Sequence, residues 1–372
     1  MLEASPATQR LERMMLQSAC DVICEHFSSD KLRVALLRLV AELLILHPDE
    51  KGTGLFAVVA VGYIDRFGFG LPRGGGNNLI DALVACLREH GATVRCSTEV
   101  AEVVLENGRA TGVRLSDGTV IAADIVLAAV HPHHLGERVP GLPQSVVDDA
   151  RAVEPSHYTG FVVQAALTAP LSFRNRAAND CALVTVGATD LPSTLRAFDD
   201  LKRGRLSAKP MLWSTAMPDS SRSPAGKGIL HCYCLTVLDA GGTGAAGWAA
   251  RADSYARAVL DRLAESVEPF TVEPGSTMRV LTPAQHEQST PSFASGDLNG
   301  VGMFLHQTGG LRPTAALSGF AVPGADGLYL VGPFMHPGGG ITGGGRATAV
   351  KVLADLGLKI QAVAPRRIAV RL

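Results

Sequence analysis

The chain has 372 residues, 47% of them hydrophobic and 19% charged, and its 34 Lys and Arg nearly balance its 35 Asp and Glu. This length suits two domains or one large α/β domain with insertions, and the balanced charge excludes a global field that would steer nucleic acid or an anionic membrane. Seven irregularly spaced cysteines without a secretory signal favour a reducing compartment and predict the cytoplasm as the location.

Residues 1–50 are predicted to be helical, and the most apolar segment of the chain, Leu32–His47, lies among them. No run reaches the roughly 18 apolar residues of a membrane span, because Arg33, Arg38 and Glu42 interrupt this one. Their spacing leaves most of a helix surface apolar, which predicts a helix buried between domains. The alternatives are a peripheral membrane contact through a lipid-facing helix, or the wall of an apolar substrate channel.

A glycine loop, Gly74–Gly76, opens the next predicted helix, which stops at Gly91. Alternating β-rich segments follow it, and the turns at Asn107-Gly108 and Asp117-Gly118 are typical of β-hairpins. The pattern therefore predicts a helix, a strand, a β-meander and a returning apolar strand, "DIVLAAV".

Residues 140–310 are less regular. Two strands are predicted at "HYTGFVVQAALTA" and "GILHCYCLTVL", with an amphipathic helix at "WAARADSYARAVLDRLAESV". The last strand, "GLYLVG", is again followed by a glycine loop and a helix. The chain therefore reads as one layered α/β domain interrupted by a long insertion.

Two clusters of metal-binding or redox-active residue types are given structural interpretations. The histidines of "HPHH" occupy a turn, and no cysteine or carboxylate cluster completes a tetrahedral ligand set, so no metal site is predicted. Cys232 and Cys234 alternate on one face of a strand, which favours core positions over a redox pair.

Two segments match G-x-G-x-x-G between a strand and a helix, a motif whose glycines let the backbone approach a pyrophosphate. They are Gly338, Gly340 and Gly343, and Gly242, Gly244 and Gly247. In the second, Glu268 stands about where a ribose-binding acid belongs, but its strand is short and broken by prolines, which favours a plain connection over a nicotinamide site. The first has no following acid, so it is not a complete Rossmann unit, yet it predicts contact with an anion or polar group.

Four segments together carry a resemblance. They are "LPRGGGNNLIDALVACLREHGATVRCSTEVAEV", "ATGVRLSDGTVIAADIVLAAVHP", "SRSPAGKGILHCYC" and "RPTAALSGFAVPGADGLYLVGPFMHPGGGITGGGRATAVKVL". The set resembles the flavin-dependent phytoene-desaturase-like oxidoreductases, relatives of the amine oxidases and of retinol saturase. The resemblance spans about residues 10–360 and implies FAD as cofactor and hydride transfer on an apolar or small organic substrate.

The fold class that the resemblance implies is α/β, with a partial FAD-binding domain of the glutathione-reductase-like type interrupted by an α+β substrate domain. The helical part of the substrate domain is expected at 1–65, and an FAD-binding portion with the β-meander at 66–138. The rest of the substrate domain is expected at 139–318. An FAD-binding strand, loop and helix are expected at 319–360, and a tail at 361–372.

The resemblance also implies site residues. Contacts with FAD through main chain or small side chains are expected from Val100, Ala128, Ala129, Gly332, Gly339, Gly340, Ile341 and Thr342. Gly75 and Gly76 are expected beside the substrate, and Arg312 either contacts substrate or holds the loop. His336, just before the glycine loop, is the candidate catalytic acid or base, or a polar gate, with a structural histidine as the alternative.

One departure from the family pattern shapes the predicted function. Such proteins open with a strand and a G-x-G-x-x-G turn that cradles the FAD pyrophosphate, whereas "MLEASPATQRLERMM" carries no glycine. The prediction is a subunit of a split enzyme, with FAD bound at the junction with a second polypeptide that supplies the Rossmann unit. The alternatives are a fragment of a longer flavoenzyme and a non-catalytic scaffold or binding subunit.

Overall fold

The computed structural model describes residues 5–215, 221–242, 244–339 and 343–359. Within them the helices are α1 (Pro6–Leu16), α2 (Ala19–His26), α3 (Asp30–Leu44), α4 (Gly54–Phe67), α5 (Gly76–Glu89), α6 (Leu135–Arg138), α7 (Gln144–Arg151), α8 (Leu191–Lys202), α9 (Ala245–Ala264), α10 (Pro283–Ser289) and α11 (Gly344–Asp355). The strands are β1 (Val100–Glu106), β2 (Arg109–Leu115), β3 (Val120–Ala122), β4 (Val126–Ala128), β5 (Tyr158–Leu167), β6 (Val184–Val186), β7 (Leu212–Ser214), β8 (Gly228–Val237), β9 (Arg279–Leu281) and β10 (Leu328–Leu330). The mixed α/β class is confirmed.

The chain forms two compact units. Unit one comprises Met1–Cys96, Ser156–Thr290 and Ser295–Leu298, and unit two comprises Ser97–Pro155, Pro291–Ala294 and Asn299–Leu372. These bounds differ from the predicted domains in that residues 66–96 lie in unit one, while 139–155, 291–294 and 299–318 lie in unit two. Residues 139–155 belong to unit two because α7 packs Val146 and Ala150 into the core of that unit. The FAD-binding and substrate roles of the predicted domains stay predictions.

Unit one contains a five-stranded antiparallel sheet in the order β6-β7-β8-β5-β9. Strands β5 and β8, both predicted, pair over their full length of ten residues. On one face, the ring of Phe161 lies 5.5 Å from that of Trp248 and 4.9 Å from that of Tyr255, both on α9. Cys232 and Cys234 are fully buried, which confirms their predicted core positions.

Helices α2, α3 and α4 of unit one pack against one another. Ser18 caps α2 with a capping box: its side chain accepts from the Asp21 amide, and the Asp21 carboxylate accepts from the Ser18 amide. Ala19, Leu37 and Ala57, one from each helix, meet in the resulting core. Helix α3, which carries most of the apolar segment from residue 32 to 47, therefore packs one face into the core of unit one.

Two of the three charges that interrupt this apolar segment, Arg38 and Glu42, are buried as well. Arg38 Nε donates to Glu42 Oε1 at 2.5 Å, and Arg38 Nη2 donates to Glu42 Oε2 at 3.3 Å and to the Leu212 carbonyl at 3.2 Å. The two side chains are 2% and 1% exposed. Burial raises the pKa of the Glu42 carboxyl, and the Arg38 guanidinium opposes that rise. The pair thus lets the buried face of α3 carry two charges.

Breaking this pair is expected to cost more than removing it. Arg38→Met leaves a buried carboxylate unpaired and is expected to lower the free energy of unfolding by roughly 3–5 kcal/mol. The double variant Arg38→Met, Glu42→Leu is expected to recover most of that loss, because it leaves no charge buried. Urea titrations of both variants measure this, and a double variant as unstable as the single one would contradict it.

Helix α5 follows the predicted glycine loop but buries none of its residues. Its apolar residues Leu79, Leu83 and Leu87, spaced at i, i+4 and i+8, are all exposed. The prediction of a separate strand between this helix and the β-meander is wrong, since no strand forms between α5 and β1, where Val94 is exposed. The main chain of a strand needs hydrogen bonds from a neighbouring strand. The strands in the described ranges pair with one another and offer no partner to this stretch.

Unit two contains the predicted β-meander, a three-stranded antiparallel sheet in the order β1-β2-β3. The first turn has Asn107 at φ 52° and Gly108 at φ 77°, as a two-residue hairpin turn requires. The returning strand β4 pairs in parallel with β10. A core that includes Val103, Val126 and Leu328 joins the two sheets.

No helix in the described ranges is both long enough and apolar enough to cross a membrane.

Candidate functional site

The carboxyl ends of the parallel strands β4 and β10 meet next to the start of α11 in unit two. Ala128 pairs with Leu330, and the Thr348 hydroxyl of α11 donates to the Leu330 carbonyl at 3.1 Å. Gly332 follows β10 with φ 145°, and a Cβ built there would lie 2.7 Å from the Phe334 ring. The small residues predicted for this region therefore stand where two strands and a helix approach closely.

Among the described residues, no side chain caps the amino terminus of α11. Its N-cap, Gly343, has no side chain to cap the helix, and its first turn contains no acidic residue. The first amides of a helix lack intrahelical acceptors and carry partial positive charge. This end of α11 therefore offers main-chain donors to an anion or a carbonyl oxygen.

The second glycine loop, before α9, is different. There the Asp239 carboxylate accepts a hydrogen bond from the Gly244 amide at 2.6 Å. A negative side chain thus occupies the position that a nucleotide phosphate would take, and it would repel one. The geometry favours the plain strand-to-helix connection over a nicotinamide site.

An irregular segment of unit two, residues 299–303, is held by buried side chains from elsewhere in the unit. We call this segment the platform. Its carbonyls accept hydrogen bonds from Arg312 at Asn299, Val301 and Gly302, from His131 at Gly300, and from Gln307 at Gly302. Side chains therefore supply the donors that a strand or helix would supply to its own backbone.

Arg312 makes most of these contacts. Its guanidinium is fully buried and also donates to the Pro333 carbonyl at 2.9 Å and contacts Met303 Sδ at 3.3 Å. Five N–H donors in a rigid fork suit a set of main-chain acceptors that a lysine could not span. Of the two predicted roles of Arg312, this geometry favours holding the loop over contacting substrate.

The ring of His131 is fixed as a neutral tautomer. Its Nε2 donates to the Gly300 carbonyl at 2.5 Å, and its Nδ1 accepts from the His133 amide at 3.1 Å. Burial lowers the pKa of His131 to about 4. The "HPHH" turn thus serves the platform, and its role was missed in the sequence because nothing local points to residue 300. A search of the described residues finds no group of three or more potential metal ligands.

The first residues of the predicted glycine loop pack closely against the platform and Arg312. A Cβ built at Gly338 would lie 3.1 Å from Met303 Sδ and 3.2 Å from Arg312 Cζ. A Cβ at Gly339 would lie 2.4 Å from Asn299 Oδ1. Only glycine fits at these two positions without a shift of the platform. Gly340, Ile341 and Thr342 lie outside the described residues.

The other predicted site residues have main-chain roles or exposed side chains. Val100 begins β1, and its carbonyl accepts from Arg138 Nη1 at 3.3 Å. Ala129 and His336 are exposed in unit two. In unit one, Gly75 is the N-cap of α5 at φ 91°, and Gly76 is the first helical residue. That position matches a helix-start turn, which leaves the predicted substrate contact of these two glycines a prediction.

Removal of the Arg312 guanidinium is expected to loosen the platform. Arg312→Gln leaves several buried carbonyls without donors, at about 1–3 kcal/mol each, so the free energy of unfolding should fall by about 3 kcal/mol or more. Arg346→Gln, at an exposed arginine on α11, is the matched control and should change it by about 0.5 kcal/mol at most. Faster amide hydrogen exchange at residues 299–303 in the Arg312 variant alone would support this role, and equal exchange in both would contradict it.

Acidification is expected to destabilise the protein through His131. Its pKa of about 4 in the folded chain lies below the ordinary 6.5, so the unfolded chain binds the extra proton between those values. This contribution is complete above pH 6.5 and is lost as the pH falls, with a limit of about 3 kcal/mol. Denaturant titrations from pH 7 to pH 4 should show a shallower loss in His131→Gln than in His306→Gln, an exposed control. Parallel slopes would contradict the assignment.

The chain is similar to known proteins in sequence and in fold. The family model of flavin containing amine oxidoreductases matches residues 17–351. An oxidoreductase from Methanosarcina mazei shares the fold, with a TM-score of 0.57 and 16% identity over 94% of this chain and 71% of that one.

Three curated relatives have similar identity to the chain. The pyridine nucleotide-disulfide oxidoreductase domain-containing protein 2 of Mus musculus is 26% identical over 90% of this chain and 60% of its own length. A lycopene-forming phytoene desaturase of Pseudescherichia vulneris is 25% identical over 96% and 70%. A limonene dehydrogenase subunit of Castellaniella defragrans is 25% identical over 91% and 65%.

These matches test the predicted family and the predicted cofactor. The chain spans about 60% of the length of the mouse relative. The predicted phytoene-desaturase-like resemblance is confirmed, and so, at the level of the family, is its flavin cofactor, FAD. The chain belongs to the flavin containing amine oxidoreductase family.

Proposed function

We propose that the chain is a subunit of a split FAD-dependent oxidoreductase that acts by hydride transfer on an apolar or small organic substrate. The observation that carries this proposal is the uncapped, acid-free start of α11 beside the carboxyl ends of β4 and β10. Ligands of open α/β sheets bind at the carboxyl ends of the strands. In this chain, that edge carries main-chain donors and small residues.

The residues present fit a flavin. Ala128 and Gly332 permit close approach of a planar or extended group, and the α11 amides can donate to its carbonyl or phosphate oxygens. We propose that Val100, Ala129 and Gly339–Thr342 complete the cofactor contacts, as the family resemblance implies. When bound, FAD supplies the acceptor or donor of the hydride. The dipole of α11 favours negative charge at its amino terminus, which favours the reduced cofactor.

The platform supports this role without contributing catalytic groups. Arg312, His131 and Gln307 hold residues 299–303, and those residues fix the start of the glycine loop. His336 is the proposed acid, base or polar gate, because it is exposed at the entrance to this loop.

We further propose that a second polypeptide with a G-x-G-x-x-G segment completes the flavin site. The other edge of β10 is covered by residues 320–322, whereas β4 has β10 as its single neighbour among the described strands. Leu127 of β4 is 53% exposed, although parallel strands are normally covered on both faces. The exposed apolar side of α5 favours the same arrangement. One relative, from Castellaniella defragrans, is itself named as a subunit of a limonene dehydrogenase.

We propose that the peripheral membrane contact is made by α4 rather than by α3. Val59, Tyr63 and Phe67 form an exposed stripe at i, i+4 and i+8 on α4, and the two aromatic rings lie 4.7 Å apart. Aromatic residues on one helix face are typical of interfacial helices. The cytoplasmic location remains a prediction.

A charge on β4 is expected to block assembly. Leu127→Asp would bury a carboxylate under the proposed partner and should reduce the co-purified second polypeptide and the bound FAD at least tenfold. Val120→Asp is the matched control, because Val120 is 50% exposed on β3, in the other sheet of unit two, and should keep both. The ratio of partner and FAD to tagged chain measures the effect. An equal ratio for the two variants would place the partner elsewhere, and a partner without FAD would favour the scaffold alternative.

A further inference from the structure

One face of the unit-one sheet carries polar and aromatic side chains on adjacent strands. Gln164 of β5 pairs with His231 of β8, and Tyr233 of β8 pairs with Trp213 of β7. Paired residues point to the same face, and so do residues two apart on one strand. Gln164, His231, Tyr233 and Trp213 therefore lie together, opposite the face that α9 covers.

Trp213 has a buried donor without an acceptor among the described residues. Its side chain is 8% exposed, and its indole Nε1–H makes no hydrogen bond there. The second tryptophan of the chain, Trp248, donates from Nε1 to the Leu238 carbonyl at 3.1 Å. An unsatisfied buried donor costs about 1–3 kcal/mol, and a ligand acceptor would remove that cost. An indole only donates, so that ligand atom must be an acceptor.

His231 supplies a second donor on this face. The Gln164 amide Nε2 can only donate, so His231 Nδ1, 3.0 Å away, accepts from it. Burial and the charge of Arg222 lower the pKa of His231, which keeps the ring neutral near pH 7. A neutral ring with Nδ1 as acceptor carries its proton on Nε2. His231 thus presents an N–H donor near Trp213, its diagonal neighbour across two strands.

A cation and an apolar wall complete the surroundings. Arg222 lies close enough to His231 to affect its titration, and its Nε is 3.5 Å from a Cβ built at Gly75. No ion pair joins Arg222 to a carboxylate within the part of the chain that the structure describes. The Phe69 ring meets that of Trp213 edge to face, with centroids 6.5 Å apart. A ligand with a hydrogen-bond acceptor on an apolar body would accept from Trp213, His231 and Arg222 and would pack against Phe69.

We propose that this face binds the carboxylate end of an otherwise apolar ligand, with Trp213, His231 and Arg222 as donors and Phe69 as the apolar wall. The inference deepens the proposed function and rests on it, because it names the substrate class of the oxidoreductase as apolar carboxylates rather than pure hydrocarbons. The predicted substrate glycine Gly75 lies next to Arg222 and is therefore part of the same surface.

The test compares two probes of the same carbon number, geranate as the carboxylate and limonene as the hydrocarbon. The full chain, isolated from its source cell with whatever copurifies, is titrated with each by calorimetry, and its FAD content is measured separately. Trp213→Phe keeps the aromatic packing and removes the N–H, and Arg222→Gln removes the charge. Trp248→Phe and Arg203→Gln are the matched controls, at the other buried tryptophan and at an exposed arginine of unit one.

Geranate is expected to bind at least tenfold more tightly than limonene. Trp213→Phe and Arg222→Gln should each weaken geranate binding at least fivefold, while the controls bind as the wild type does. In Trp248→Phe, where Trp213 is the one remaining tryptophan, geranate should shift the fluorescence emission saturably. This measurement remains available if Trp213→Phe does not fold.

Two results would overturn the inference: limonene binding as tightly as geranate, or unchanged geranate binding in both site variants. Geranate binding to a preparation that contains no FAD would support this site while contradicting the proposed flavin function. An FAD-containing preparation that does not bind geranate would contradict this site but not the proposed flavin function.

Discussion

The proposed flavin site of unit two depends on the buried guanidinium of Arg312. It donates to the main chain of residues 299, 301, 302 and 333, and none of these acceptors is charged. The carbonyls of a segment without helix or ladder bonds thereby receive donors from buried side chains. The glycine loop before α11 begins on this segment, where Gly338 and Gly339 leave no room for a side chain. The start of the glycine loop before α11 is thus positioned by Arg312 and by two uncharged side chains, His131 and Gln307.

The two glycine loops show why a motif alone does not identify a nucleotide site. Both lie between a strand and a helix, and both match G-x-G-x-x-G in sequence. Before α9, Asp239 accepts from the loop and satisfies the helix start within the chain. Before α11, no acidic or capping side chain does so among the described residues, and two parallel strands end beside it. The surrounding charge and the strand ends distinguish the proposed ligand site before α11 from the connection before α9.

Local patterns in the sequence predicted much of the fold. The turns at Asn107-Gly108 and Asp117-Gly118, the paired strands β5 and β8, and helix α9 are confirmed, because turn chemistry and periodicity are properties of neighbouring residues. Long-range features were not predictable in this way. The Arg38–Glu42 pair is buried because α3 packs in unit one, and the platform joins residues up to 169 positions apart. The separate strand expected between α5 and the β-meander does not form, and the described strands pair with one another elsewhere.

The central claim is that FAD is bound by this chain together with a second polypeptide. Its most direct test is native mass spectrometry of complexes captured from the source cell through a tag on this chain. The account predicts a complex of two different polypeptides with the mass of one FAD, which separates into its parts on denaturation. The chain alone without FAD, or the chain alone with FAD fully bound, would contradict it.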